Sequence, residues 1–347
     1  MNALKEDVDR SAIAAAVEAQ LQRPTPGIED IAAYLARQVA DPSHREVIGP
    51  LLSASGASGL IVHLGESIAQ WGDPAAPEML FSATKSLLST VAGVAFDLGL
   101  FADVDRPVVD SVALDQLATT RARAVTWRHL LHQTSGWQGV LWDKPTSADA
   151  QSQRPGSADD KPPGQGFAYN DVRINLLCLA LTALFGEELD SVLKEHVLGP
   201  LGASASWSWH GYSSSFLRCA GDTLKVVSGG AHWGGGLWMS ARDLALVGQL
   251  YLQEGRWHDR QILSKAWISS SFEPCAVNPD YGFLWWLNDA GRVFPSAPFT
   301  GRCARGNGGK HLLWVDPARA LVVVSRWGDD VGELLRAVSA AIPTRAH

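Results

Sequence analysis

The apolar, strand-forming runs of this chain stand at its two ends with a long helical stretch between them, and this placement restricts the fold more than any other feature. Near the start, Gly59-Leu60-Ile61-Val62-His63-Leu64 and Ser67-Ile68-Ala69-Gln70-Trp71-Gly72 flank Gly65-Glu66, the pattern of two strands joined by a tight turn. Near the end, Tyr281-Gly282-Phe283-Leu284-Trp285-Trp286-Leu287, His311-Leu312-Leu313-Trp314-Val315 and Leu321-Val322-Val323-Val324-Ser325 read as strands, the last two joined through Asp316-Pro317. Separated strands of this kind are expected to meet in one sheet, with a closing helix over 331–342. The expected fold class is α/β: an antiparallel sheet flanked by helices, with an inserted, mainly helical domain.

Three parts are expected. Residues 1–46 form an N-terminal helical extension, because Ile13, Ala14, Val17 and Leu21 repeat at helical spacing and, after Pro24 and Pro26, so do Ile31, Leu35 and Val39. Residues 47–80 and 257–347 form the sheet domain, and 81–256 the helical one. A chain of 347 residues, 46% hydrophobic and 19% charged, can bury a sizeable core in such a body.

Net charge is −7 with no basic run, which argues against nucleic acid or an anionic membrane as partner. No apolar stretch approaches the length of a membrane span. The charged first ten residues lack the apolar core of a secretory signal, so a cytoplasmic protein is expected. Cys178, Cys219, Cys275 and Cys303 have neither metal nor redox spacing; free thiols are expected, and no metal or cofactor is called for.

The candidate chemistry centres on Ser82-Ala83-Thr84-Lys85, at the start of a helix that continues through Leu87, Leu88, Val91 and Val94. Residues three apart share a helix face, so the Lys85 amine can reach the Ser82 hydroxyl. A serine hydroxyl needs a base to become nucleophilic, and a lysine, with an ordinary pKa of about 10.4, serves at neutral pH only if its surroundings disfavour its charge. Ser191-Val192-Leu193-Lys194 has the same spacing inside an ordinary amphipathic helix, so the spacing alone proves nothing. The first copy differs in following a strand region, where the Ser82 N–H points free at the positive end of a helix.

Other stretches admit two readings. His129 and His132 are metal ligands or, better, a packed pair in a short helix capped by Thr126 and stopped by Gly136. The polar loop 138–166, with Trp142 near its start, reads as a mobile lid. Tyr169 stands just before a helix carrying Ile174, Leu176 and Leu177, where an anion is favoured; Asn170 and Asp171 suit helix capping as well as catalysis. The Gly229–Gly236 run turns tightly but lacks a phosphate-loop ending, and Ser240-Ala241-Arg242-Asp243 resembles a capping box. With no Gly-x-Ser-x-Gly in the chain, an α/β-hydrolase triad is disfavoured. Most of the 14 tryptophans are assigned to the core, with Trp137, Trp142 and Trp233 expected in a pocket.

In the order Ser82-Ala83-Thr84-Lys85, Tyr169-Asn170-Asp171 and Gly306-Asn307-Gly308-Gly309, the chain resembles the β-lactamase-like serine hydrolases. That superfamily includes class C β-lactamases, D-alanyl-D-amino acid peptidases, lactamase-like esterases and 6-aminohexanoate-oligomer hydrolases. The resemblance covers roughly residues 46–342 and extends to 129–136, 235–244 and 281–286. It implies a β-lactamase/transpeptidase-like fold, Ser82 as acylated nucleophile, Lys85 as its partner, Tyr169 as the second half of the base, and an oxyanion hole from the N–H groups of Ser82 and of the strand near Asn307. Two departures bear on substrate. Asp171 ends the usual Tyr-x-Asn motif, and Ala304-Arg305-Gly306 stands where the lactamases carry Lys-Thr-Gly.

The expected activity is therefore hydrolysis of a small ester or a linear amide through an acyl-enzyme on Ser82, with Asp171, Trp137, Trp142, Trp233, Gly306 and Arg305 at the substrate. The alternatives are a weak β-lactamase or D-amino acid peptidase, and a catalytically silent binding protein.

Overall fold

The computed structural model describes residues 8–38, 46, 48–50, 53–148, 161–219, 221–230 and 236–344. Helices α1 (Arg10–Leu21) and α2 (Ile31–Gln38) lead into strands β1 (Ser58–His63) and β2 (Glu66–Trp71). Asp9 caps α1 by accepting from the Ala12 N–H at 2.9 Å. Its buried side is Ile13, Ala16 and Gln20, whereas Ala14 and Leu21 are exposed, so the stripe is rotated from the one expected. Ile31 and Leu35 of α2 are buried.

After β3 (Pro77–Met79) come α3 (Thr84–Asp97), α4 (Trp127–Leu131), α5 (Asp171–Phe185), β4 (Leu237–Ser240) and α6 (Ala241–Leu252). The chain closes with β5 (Trp286–Leu287), β6 (Arg302–Gly306), β7 (His311–Asp316), β8 (Leu321–Arg326) and α7 (Val331–Ala340). Among the described residues, β5-β6-β7-β8-β1-β2 form one antiparallel sheet. The two ends of the chain meet at β1 and β8, where Leu60 lies opposite Val324 and Ile61 opposite Val323.

Alternate strand residues point to opposite faces, and here both faces are covered, which is why these strands read as unbroken apolar runs. Leu60, Val62, Leu313 and Val324 pack with the helical part. Ile61, Leu312, Trp314 and Val323 pack with Ile13 of α1 and Leu334, Leu335 and Val338 of α7.

Three expectations need correction. The division at residue 256 assigned α6 to the helical domain, but α6 lies on the sheet: a Cβ on Gly248 would stand 2.7 Å from side-chain atoms of both Leu313 and Val322. The strand expected over 281–287 shrinks to β5, because the Leu284 backbone is left-handed (φ 61°) and its N–H bonds to Leu131 and Gly282 carbonyls rather than to a strand. Helix α4 stops at Leu131, short of Gly136, since Gln133 already turns the chain with φ 54°.

The loop 138–166 is anchored in its described parts. Residues 140–141 pair with 144–145, the buried Lys144 contacts Glu46 at 2.8 Å, and the Gly164 N–H donates to Thr134 O at 2.8 Å. The stem of the expected lid is thus fixed; 149–160 lie outside the described residues. No helix among the described residues is long and apolar enough to cross a membrane. Cys178, Cys275 and Cys303 are buried and Cys219 half-buried, all as free thiols.

Two buried imidazoles tie this core to pH. Burial, with Arg128 nearby, pushes the His132 pKa down to about 4. Burial, with Arg326 nearby, pushes His311 well below the ordinary range. Both are neutral when folded, whereas the unfolded chain takes up a proton on each below a pH of about 6.5. Stability is therefore fully present above that pH and is lost as pH falls toward the folded values. We expect thermal and urea melts from pH 8 to 4 to show a fall to which His132 contributes on the order of 3 kcal/mol, and His132→Phe to flatten the slope. An identical slope in the variant would refute this account.

Candidate active site

Ser82 lies in a short turn, Phe81–Ala83, between β3 and α3. Phe81 holds a left-handed backbone, φ 51°, which is strained for a bulky residue and persists only where packing enforces it. The packing is visible: its ring lies 4.8 Å from His311 and 5.6 Å from Trp327. This turn leaves Ser82 partly exposed while Phe81 and Ala83 on either side are buried.

One turn on, Lys85 is 1% exposed. Its Nζ lies 2.9 Å from Ser82 Oγ, 3.1 Å from Gly230 O and 2.7 Å from Asp171 Oδ1. Three oxygen atoms from three parts of the chain thus surround this one nitrogen. The Ser82 hydroxyl accepts from Lys85 and donates to Gly230 O at 3.3 Å. The second serine–lysine pair, Ser191 and Lys194, is exposed on a surface helix.

Asn170 is the cap of α5 and is fully buried: its Oδ1 accepts from the Arg173 N–H at 3.1 Å, its Nδ2 donates to Thr146 O at 2.9 Å, and its N–H donates to Gln133 Oε1 at 2.9 Å. Capping thus falls to Asn170, and Asp171 in the first helical turn is left to face Lys85. The cation stands 4.7 Å from the Tyr169 ring centroid, within cation–π range. Trp286 stacks on Tyr169 at 5.8 Å, and Tyr281 meets it edge-on at 6.2 Å. Gln133 also donates to the Tyr281 hydroxyl at 2.8 Å, so one amide fixes both the Tyr169–Asp171 turn and its aromatic support. Burial first, then the nearby Tyr169, holds the Tyr281 hydroxyl well above the ordinary phenol range, so it stays neutral.

The end of β6 runs alongside the serine turn. A Cβ on Gly306 would stand 2.5 Å from Leu80 O, 3.0 Å from Phe81 Cβ and 3.1 Å from Ala83 N, so only glycine lets strand and turn approach this closely. Asn307 follows with a left-handed backbone, φ 51°, which asparagine tolerates better than most residues. Ala304, on the same strand face as Gly306, is fully buried.

The remaining expected contacts separate. Arg305 faces the other side of β6: its guanidinium lies 5.2 Å from the Phe294 ring and 6.0 Å from Trp286, and it donates to Gly308 O at 3.2 Å. Strand alternation turns it away from Ser82, so it does not replace the missing lysine. Trp137 belongs to the core, its indole N–H donating to Gln116 O at 2.8 Å, and not to a pocket at Ser82. Trp142 is half-buried, 6.1 Å from the Tyr212 ring, and burial, then Asp171, raises the Tyr212 hydroxyl pKa. Trp233 lies outside the described residues.

His129 serves the helix cap: its Nδ1 accepts from the Thr126 N–H while Thr126 Oγ1 accepts from the His129 N–H, both at 3.2 Å, and the buried His132 lies 4.9 Å from the Phe283 ring. No cluster of metal-ligating side chains occurs among the described residues. Sequence reasoning gave no role of their own to Gly230, Gln133 and Tyr281, although Gly230 stands in the glycine run and Gln133 and Tyr281 fall in the stretches 129–136 and 281–286 that carry the resemblance.

In fold, the chain is similar to several solved proteins. A penicillin-binding protein homologue from Caulobacter crescentus superposes with a TM-score of 0.60 at 16% identity, covering 92% of this chain and 98% of that one. EstCE1, a hydrolase with promiscuous acyltransferase activity, gives 0.58 at 16%, covering 96% and 99%. A Bacillus anthracis protein provisionally named a 6-aminohexanoate-dimer hydrolase gives 0.58 at 18%, covering 82% and 77%. Among curated proteins, none matches this chain significantly. The sheet with its helical part, the serine–lysine turn and the match of residues 44–326 to the Beta-lactamase family model agree, and the chain belongs to the β-lactamase family.

Proposed function

We propose that this protein is a serine hydrolase that cleaves small esters, and linear amides second, through an acyl-enzyme on Ser82. The observation that carries the reading is the buried Lys85 Nζ held 2.9 Å from the Ser82 hydroxyl. Because Lys85 already donates to Ser82, the proton of Ser82 has to leave toward the Tyr169/Lys85 pair as a whole, with the cation favouring a phenolate beside it. Oγ then attacks the substrate carbonyl, and the N–H groups of Ser82 and Asn307 hold the tetrahedral oxyanion. The leaving group takes the proton back, and a water activated by the same pair releases the acyl group.

Substrate class rests on the strand. Ala304 is buried and uncharged and Arg305 turns away, so β6 offers no cation to a lactam or peptide carboxylate. Two relatives in fold are named as a hydrolase with acyltransferase activity and, provisionally, as a hydrolase of a linear amide dimer, which accords with acyl transfer through a serine.

Intact-mass analysis after exposure to a fluorophosphonate should show one adduct mapping to Ser82, and p-nitrophenyl butyrate should turn over faster than nitrocefin. Ser82→Ala should lose both the adduct and about a thousandfold or more of turnover with its melting temperature retained. A folded wild-type protein that gains no adduct would instead support a binding protein of this fold.

Asp171 supplies a second test. Its carboxylate lies 2.7 Å from Lys85 Nζ, so Asp171→Asn weakens the contact that fixes Nζ beside Ser82. We expect kcat/KM for p-nitrophenyl butyrate to fall about tenfold with the melting temperature retained. An unchanged kcat/KM would exclude Asp171 from positioning Lys85.

A further inference from the structure

The N-terminal extension reaches the strand that the proposed reaction uses. Tyr34 of α2 donates its hydroxyl to Asn307 Oδ1 at 3.0 Å and accepts from Asn307 Nδ2 at 2.8 Å. One phenol therefore occupies both ends of the amide, fixing its plane as well as its position. The phenol is itself held, since its ring meets Trp327 edge-on at 5.6 Å and Leu35, one residue on, is buried. Trp327 in turn is pinned by Glu78 at 2.8 Å and lies edge-on to Phe81 and to His311, at 5.6 and 4.3 Å. Ile28, Ile31 and Leu35 join Phe81 and Trp327 in one apolar cluster.

The extension thus touches the residue before one proposed oxyanion donor, Ser82, and the side chain of the other, Asn307. Phe81, immediately before Ser82, and Asn307, at the end of β6, each hold a left-handed backbone, which packing or side-chain bonds must maintain. We infer that Tyr34 is a positioning residue for this site: by clamping the Asn307 side chain it keeps the Asn307 main-chain N–H in place opposite Ser82. The inference rests on the acyl-enzyme reading above. It makes α2 part of the catalytic body rather than a detachable cover.

An oxyanion donor acts on the transition state more than on bound substrate, so a misplaced donor lowers kcat and leaves KM. Tyr34→Phe removes the hydroxyl but keeps the ring on Trp327. We expect its kcat for p-nitrophenyl butyrate to fall about tenfold, with KM within about twofold and the melting temperature within about 4 °C of wild type. Asn307→Ala should lose at least as much, and adding Tyr34→Phe to it should cost less than about twofold more, because the clamp then has nothing to hold. Wild-type kcat in Tyr34→Phe, multiplying losses in the double variant, or a collapse of melting temperature with kcat and KM falling together would each overturn the inference while Ser82 still labels in wild type. Wild-type protein that neither labels nor turns over ester would overturn the acyl-enzyme reading, and the role of Tyr34 with it.

Discussion

A lysine ammonium with almost no solvent exposure has to be met by acceptors on every side, and at Lys85 this requirement draws four parts of the chain to one point. The serine turn, the Gly230 backbone, the first turn of α5 and the Tyr169 ring all converge on Nζ. Leaving such a charge unpaired costs several kcal/mol, so each approach is enforced by the stability of the core as much as by any reaction. Gly230 illustrates the coupling: with φ 93°, and space for a Cβ blocked at 2.8 Å by Phe81 O, its carbonyl can reach both Lys85 and Ser82 only because it is glycine.

Around that point the molecule uses side-chain amides as braces. Asn170 caps α5, Gln133 links its N–H to the Tyr281 hydroxyl, and Asn288 holds the loop before β6 by accepting from the Phe294 N–H and donating to nearby carbonyls. None of these is charged, and Asn170, Gln133 and Asn288 are all buried with their polar atoms engaged. A neutral, fully bonded network stiffens the surroundings without competing with the Lys85 and Asp171 charges.

Two of the residues with a left-handed backbone border the proposed chemistry. Phe81 and Asn307 lie on either side of the gap between the serine turn and β6, and the aromatic cluster of Tyr34, Phe81, His311 and Trp327 offsets the cost of the first. His311 and Gly306 are register partners in the β6–β7 ladder, so the imidazole that titrates with the core also supports the strand beside Ser82.

Local spacing determined a good part of this protein. The β1–β2 hairpin, the β7–β8 pair, the serine–lysine reach and the caps at Thr126 and Ser240 are short-range features, set by residues a few positions apart. What depends on which face meets which neighbour was left to the tertiary structure. Arg305 and Trp137 carried suitable chemistry, but strand alternation turned one away from Ser82 and the core absorbed the other. Tyr34 stands 273 residues from Asn307 along the chain, and no periodicity in α2 records that pairing. Asp171 was legible as a cap or an acid; only the folded chain, by giving the cap to Asn170, left Asp171 to Lys85.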